Sequence, residues 1–174
     1  MLHLITGGSG SGKSAYAEQC ILDFGALPRI YIATMYPFDE ESHRRIARHR
    51  EMRREKQFST VECFTNLKEV QVPAGANVLL ECLSNLTANE LYQEGGAGEG
   101  TEEAVLEGVE SLLGQAENLV IVTNEIFSDG ILYDRETRRY QKLLGSLNRR
   151  LAARADRVTE VVYGIPLTVK KGEA

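Results

Sequence analysis

No stretch of the chain approaches the roughly 20 consecutive apolar residues that a bilayer-spanning helix needs. Positive charge is not in excess either: 20 Lys+Arg against 25 Asp+Glu leave a net charge of −5. That balance argues against general binding to nucleic acid or to anionic membrane surfaces. Cysteine is sparse. Cys20, Cys63 and Cys82 are odd in number, scattered, and form no CxxC pair, so no metal knuckle is written into the chain. Each is expected as a small buried side chain. The opening residues MLHLITGG lack the basic stretch and the longer apolar run of an export signal. A reducing, cytoplasmic setting is therefore expected. What remains is ordinary globular composition, 43% hydrophobic and 26% charged over 174 residues, a length that suits one α/β domain spanning 1–174.

Apolar patterning alternates between two periods. Leu2–Thr6, Arg29–Thr34, Val78–Cys82, Leu119–Thr123 and Val158–Tyr163 are short β-branched or apolar runs, expected as buried strands, with a further short strand around Leu167–Lys170. Between them lie helical patterns at 13–24, 39–56, 83–93, 102–115 and 134–155. Asp39 is a candidate N-cap, with Glu40 and Glu41 in the first turn and arginines later, which suits the helix dipole. The stretch Gln93–Thr101, QEGGAGEGT, is glycine-rich and expected to be mobile. Strands alternating with helices imply right-handed βαβ units and a mostly parallel sheet with helices on both faces.

Directly after the first strand comes Gly7-Gly8-Ser9-Gly10-Ser11-Gly12-Lys13-Ser14, which satisfies G-x-x-x-x-G-K-[ST] between a strand and a helix. Glycines let the backbone turn several N–H groups toward one anion. The helix that begins near Lys13 adds its positive dipole end. Lys13 is expected to reach the β- and γ-phosphates of a nucleotide, and the Ser14 hydroxyl to bind Mg²⁺. A carboxylate near that metal is expected at the end of a neighbouring strand, and Glu81, which follows Val78-Leu79-Leu80, is the best candidate.

Residues 40–56 hold seven of the twenty basic residues and little that is apolar. Two readings stand at this point. The helix is a solvated surface laced with ion pairs through Glu40, Glu41, Glu51 and Glu55, or its guanidinium groups face a bound triphosphate. His43 and His49 both lie on it, six residues apart, hence about 120° apart around the axis and not ligands of one metal. His3, in the first strand, is expected to be structural. A histidine among arginines is favoured in its neutral, nucleophilic form.

The ordered set of ITGGSGSGKS, YIAT at 31–34, D-x-E…RIARH between Asp39 and His49, TVE at 60–62, LLEC at 79–82, VTNE at 122–125 and LNRRLAARADRV up to Val158 resembles the adenosylcobinamide kinase / adenosylcobinamide-phosphate guanylyltransferase family. The resemblance covers nearly the whole chain. It implies a RecA-like P-loop core and a bifunctional enzyme. One activity would phosphorylate the aminopropanol hydroxyl of adenosylcobinamide. The other would transfer GMP from GTP onto that phosphate through a covalent GMP-histidine. By motif, that histidine is His49, which closes RIARH; His43 lies outside the motif. The same resemblance implies nucleotide contacts at Gly7–Ser14, at Ala33, Thr34 and Met35, and at Arg50, Glu51, Met52 and Arg53, with Glu62 and Glu81 contributing as acids. It also implies GTP or ATP with Mg²⁺, a corrinoid substrate and a homotrimer.

The chain departs from the family pattern in several places. Gly10 stands where the loop often has arginine, Arg53-Arg54 where Arg-Pro is common, Phe58 where tryptophan is usual, and NEIFSDGILY at 124–133 where NEVGxGIVP is typical. Near the end of the chain the usual Asn-Gln is Asn148-Arg149. Three rival readings share the phosphate loop. A simple small-molecule kinase gives RIARH no role. A GTP switch lacks its Asn-Lys-x-Asp at Thr123-Asn124-Glu125-Ile126. A nucleic-acid motor sits poorly with an acidic chain.

Overall fold

The computed structural model describes residues 1–172, the side chain of Met52 excepted. All seven strands join one sheet: β1 (Leu2–Thr6), β2 (Arg29–Ala33), β3 (Phe58–Glu62), β4 (Ala76–Glu81), β5 (Ala116–Val122), β6 (Arg157–Val162) and β7 (Ile165–Lys170), in the order β3-β2-β4-β5-β1-β6-β7. Every pairing is parallel except the last, where β7 returns antiparallel along β6.

Strand side chains alternate between two cores, the period-2 consequence of the pleat. Leu2 and Leu4 of β1 and Val78 and Leu80 of β4 point into the larger one. There they meet Leu83 and Leu86 of α3 (Leu83–Tyr92), Val105, Val109 and Leu112 of α4 (Thr101–Gln115), and Leu144, Leu147 and Leu151 of α5 (Arg135–Arg154). Ile5, Leu79, Val120 and Val122 point the other way, onto Ala17, Cys20 and Ile21 of α1 (Lys13–Asp23). β4 is buried along all six residues, which is why its sequence reads as a continuous apolar run. The three cysteines are free and buried, as expected.

Among its described side chains, the helix α2 (Glu40–Arg53) contributes to neither core. Asp39 caps it by accepting from the Ser42 N–H at 2.7 Å, and a 3-10 turn at Arg54–Lys56 leads into β3.

One segment differs from expectation. β3 has no counterpart in the sequence reading: its residues FSTVE are exposed or half-buried at the sheet edge, so the apolar signal is weak. The glycine-rich loop, expected to be mobile, contains a 3-10 turn at Gly98–Gly100 and is contacted by Glu90. That buried carboxylate accepts from the Asn66 N–H at 2.6 Å and the Ala97 N–H at 2.9 Å. Gly96 lies so close to α3 that an added Cβ would stand 2.5 Å from the Glu90 carbonyl.

Candidate active site

Residues Gly7–Ser14 wrap from the end of β1 into α1 at the carboxyl edge of the sheet. Two glycines are sterically required. A Cβ on Gly7 would meet the Val161 carbonyl and Ser11 Oγ at 2.6 Å, and Gly12, the residue before α1, has φ of 90°, a conformation side chains disfavour. The hairpin between β6 and β7 supports the loop, with the Gly164 N–H donating to the Ser11 carbonyl at 2.8 Å. Lys13 does not extend into solvent. It is only 8% exposed and donates to the Gly8 carbonyl at 2.9 Å. Burial pulls its pKa below the usual lysine value, opposed by the nearby Cys82 and Glu81. The ammonium is thus held against the loop where a phosphate would sit.

Glu81 ends β4 and is brought to the cradle as expected. Ser14 Oγ donates to its Oε1, and the Tyr31 hydroxyl donates to its Oε2 at 3.1 Å. Strand register sets Ala33 beside both Glu81 and Glu62, so the two expected acids flank the end of β2. They differ in setting: Glu81 is buried, whereas Glu62 is exposed and pairs with Arg50 at 2.5 Å. Ser14 and Glu81 are hard-oxygen donors in direct contact, a set that suits Mg²⁺ when phosphates and water complete the octahedron. No three of His, Cys, Asp or Glu cluster as a metal site among the described residues, and a metal completed by phosphates needs no such cluster.

Thr34, expected as a nucleotide contact, lies just past the end of β2 against the end of β4. It is fully buried, donates from Oγ1 to the Cys82 carbonyl at 2.8 Å and accepts from the Cys82 N–H at 2.7 Å. Asn89 donates to its carbonyl at 2.8 Å. Its side chain therefore fixes the end of β4. Ala33 and Met35 are half-buried at the same edge, and Ser9 and Gly10 stand exposed at the loop tip.

On α2 the outward face carries the ion pairs of the first reading, while another face is less exposed. Arg44 pairs with Glu40 at 2.9 Å and Arg45 with Glu41 at 3.1 Å, all exposed. Ser42, Ile46, His49 and Arg53 are the less exposed residues, and their spacing of four, three and four makes them one helical stripe. His49 lies on that inward stripe; His43 is exposed on another. Arg53 ends the stripe. Its guanidinium lies 3.4 Å over the Tyr31 ring, is 5% exposed, and leaves Nε and Nη1 without a partner. Arg53 is thus brought onto the ring whose hydroxyl reaches Glu81. His49, one turn earlier, has no hydrogen bond or ion pair to the P-loop among the described residues. Arg50 is engaged by Glu62, and exposed Glu51 by Arg54 at 3.7 Å. The expected contact Met52 has its side chain outside the described residues.

Tyr31 is the residue that sequence reasoning missed. The signal was available: a hydroxyl-bearing aromatic between Ile30 and Ile32 of a buried strand must find a polar partner. Burial and the neighbouring Glu81 carboxylate push its pKa far above the usual tyrosine value, opposed by Arg53, so it remains a donor.

The divergent segment at 124–133 abuts the same edge. The Glu125 N–H donates to the Gly7 carbonyl at 3.0 Å, Asn124 Nδ2 to Ser84 Oγ at 2.6 Å, and Gln141 Nε2 to the Ile126 carbonyl at 3.1 Å. Phe127, Ile131 and Leu132 are exposed.

In this sheet β5 separates the P-loop strand β1 from β4, the strand that ends on the acid. That order, with a lysine and a hydroxyl-carboxylate pair at one phosphate loop, defines a RecA-like P-loop enzyme of nucleotide-dependent group transfer. The chain belongs, more narrowly, to the family of cobinamide kinase / cobinamide phosphate guanyltransferase, which it matches over residues 3–169. It is 35% identical over 185 aligned positions to the bifunctional adenosylcobalamin biosynthesis protein CobU of Escherichia coli K12, covering 98% of this chain and all of that one. It is 34% identical to the corresponding CobP protein of Pseudomonas aeruginosa, covering 98% of each chain. Among solved structures, the flagellar accessory protein FlaH of Methanocaldococcus jannaschii aligns at a TM-score of 0.49 and 10% identity, covering 98% of this chain and 78% of that one.

Proposed function

We propose that this chain carries out both family reactions, phosphorylating adenosylcobinamide and then transferring GMP from GTP to adenosylcobinamide phosphate, with His49 as the covalent carrier. The observation that carries the reading is the placement of His49 on the less exposed stripe of α2, four residues before an arginine stacked on Tyr31, whose hydroxyl reaches Glu81.

In the kinase step the cradle presents a nucleoside triphosphate, GTP or ATP, so that the substrate hydroxyl oxygen attacks the γ-phosphorus. The γ-phosphorus–oxygen bond then breaks and the nucleoside diphosphate leaves. Loose phosphoryl-transfer transition states demand mainly positioning and neutralisation of charge, which the loop N–H groups, the α1 N-terminus and Lys13 supply. In the guanylyl step an imidazole nitrogen of His49 attacks the α-phosphorus of GTP. An N–P bond forms, the bond to the β-phosphate oxygen breaks, and pyrophosphate leaves. A phosphate oxygen of the corrinoid substrate then attacks the same phosphorus and releases His49. Splitting one displacement into two is the advantage of covalent catalysis. Arg53, whose buried Nε and Nη1 lack partners, and Arg50 are the cations placed to neutralise phosphate oxygens. Ser14 and Glu81 would hold Mg²⁺, which when bound neutralises charge on the β- and γ-phosphate oxygens.

Assembly into a homotrimer belongs to the same reading. Ile165, Leu167 and Val169 alternate along the edge strand β7 and are exposed, apolar surface of the kind that subunit contacts bury. A cytoplasmic setting belongs to the same reading; among the described residues no helix is long and apolar enough to cross a membrane.

The test is to incubate the protein with α-labelled GTP, denature it, and count retained label. Label is expected on the wild type and on His43→Ala, and none on His49→Ala. The adduct should be lost in mild acid and kept in strong base, because a phosphoramidate nitrogen is protonated in acid and leaves. Label that survives acid, or that persists in His49→Ala, removes His49 as the carrier.

A further inference from the structure

A single aromatic ring joins the two halves of the site. Tyr31 sits in β2, neither on the phosphate loop nor on α2, and it is almost completely buried. Its hydroxyl donates to Glu81 Oε2 at 3.1 Å, while Oε1 of the same carboxylate accepts from Ser14. One face of the ring carries the Arg53 guanidinium at 3.4 Å. Phe58 of β3 packs edge-on against the ring, centroids 6.2 Å apart with an interplanar angle of 82°, and so limits its rotation. The chain of contacts runs Arg53–Tyr31–Glu81–Ser14, from the last turn of the helix that bears His49 to the expected metal donors.

We propose that Tyr31 is a positioning residue for guanylyl transfer: its hydroxyl aims the Glu81 carboxylate at the metal side of the cradle, and its ring seats the end of α2 that presents His49. The inference rests on the assignments of Glu81 and His49 made above. The two contacts are chemically separable. The hydroxyl is a group that orients a metal-ligating carboxylate, and loss of such a partner typically weakens metal affinity about 10- to 100-fold. The ring face is a desolvated cation–π seat for Arg53. Removal of the ring loosens the last turn of α2 and leaves it the exposed Arg50–Glu62 pair, since no residue of α2 whose side chain is described belongs to either core.

The experiment compares Tyr31→Phe, Tyr31→Leu and Glu81→Gln with the wild type. Two readouts are used: GTP affinity by calorimetry with and without Mg²⁺, and the rate of covalent GMP labelling at saturating GTP and saturating Mg²⁺. Tyr31→Phe keeps the ring. It should bind GTP normally without Mg²⁺, lose about tenfold of the gain in affinity that Mg²⁺ confers, and label at close to the wild-type rate once Mg²⁺ is saturating. Tyr31→Leu should show the same loss in Mg²⁺ dependence and, in addition, a labelling rate at least about tenfold lower under saturation. A Tyr31→Phe variant with a wild-type Mg²⁺ dependence, or one weakened equally with and without Mg²⁺, overturns the proposal. Should Tyr31→Leu fail to fold, Tyr31→Phe decides alone. Glu81→Gln separates the causes. If it alters the Mg²⁺ dependence while Tyr31→Phe does not, only the role of Tyr31 falls. If neither alters it, the assignment of Glu81 falls and the proposal with it.

Discussion

At the phosphate loop, Lys13 and Glu81 are buried and Ser14 is hydrogen-bonded to Glu81 across 67 residues of sequence. Along α2, Arg44 and Arg45 lie in exposed pairs with acids of their own helix, and Arg54, just past its end, pairs with Glu51. The first region is held by the sheet, since strand register sets its acids and the β6–β7 hairpin braces its loop. The second is held near one end, through Arg50 on Glu62 and Arg53 on Tyr31. The difference suits the tasks proposed for the two regions. Binding a triphosphate needs donors fixed before the ligand arrives. A nucleophile that is charged with GMP from one substrate and discharged to another is served by a carrier with fewer fixed contacts.

The largest expected effect breaks the cradle alone. Lys13→Ala removes the cation held 2.9 Å from the Gly8 carbonyl and should lower both reactions by about 10³-fold or more, the scale on which a phosphate-stabilising cation acts. Stability should fall by only about 1 kcal/mol, the worth of one hydrogen bond. Steady-state kinetics of each reaction beside a thermal melt checks this, and near-wild-type turnover in either reaction would separate that reaction from the loop.

A second prediction sharpens the contrast through pH. His3, in the strand that feeds the loop, is fully buried; its Nε2 pairs with Thr159 Oγ1 at 2.9 Å and its Nδ1 has no partner. Burial, helped by Arg157, lowers its pKa from 6.5 to about 4. The unfolded chain therefore takes up this proton first, so stability is full above about pH 6.5 and declines as pH falls toward 4. The loss should be on the order of 3 kcal/mol. His3→Gln, which keeps a hydrogen-bonding side chain but cannot ionise, should flatten this limb of a denaturant-measured stability profile between pH 7 and 4. An unchanged slope would place the proton uptake elsewhere.

Much of the first region was legible in the sequence and less of the second. β1, the glycine loop and α1 form one local pattern, and β4 shows itself as an apolar run ending in Glu81. The capping Asp39 and the ion pairs of α2 follow from residues three and four apart. What escaped depends on partners distant in sequence. The edge strand β3 is defined by its pairing with β2, since its own five residues are half-buried at most. The contact of the Gly-rich segment with Glu90 is not written locally, because Glu90 lies in the preceding helix and also binds Asn66. Thr34 turns inward because Cys82 and Asn89 claim it. That Arg53 is the buried arginine of seven basic residues is decided by how α2 crosses β2, a tertiary fact that helical periodicity alone does not contain.

The smallest effect is expected on the outward face of α2, and salt is the variable that exposes it. Arg44→Ala and Arg45→Ala each remove one exposed pair within the helix, and pairs of this kind contribute little. Each should shift the melting temperature by about 1 °C or less and leave the rate of GMP labelling unchanged, because neither arginine lies on the stripe with His49. Arg50→Ala removes the link from α2 to β3, and there the labelling rate should fall. Raising ionic strength to about 1 M shortens the screening length to about 3 Å. That should weaken the exposed Arg50–Glu62 link in the wild type while sparing the buried Arg53–Tyr31 stack. Wild-type labelling should therefore slow toward the Arg50→Ala rate, and the Arg50→Ala variant itself should respond less to salt. Equal salt sensitivity in the two proteins would mean that Glu62 does not tether the helix, and that Tyr31 alone holds α2 to the sheet.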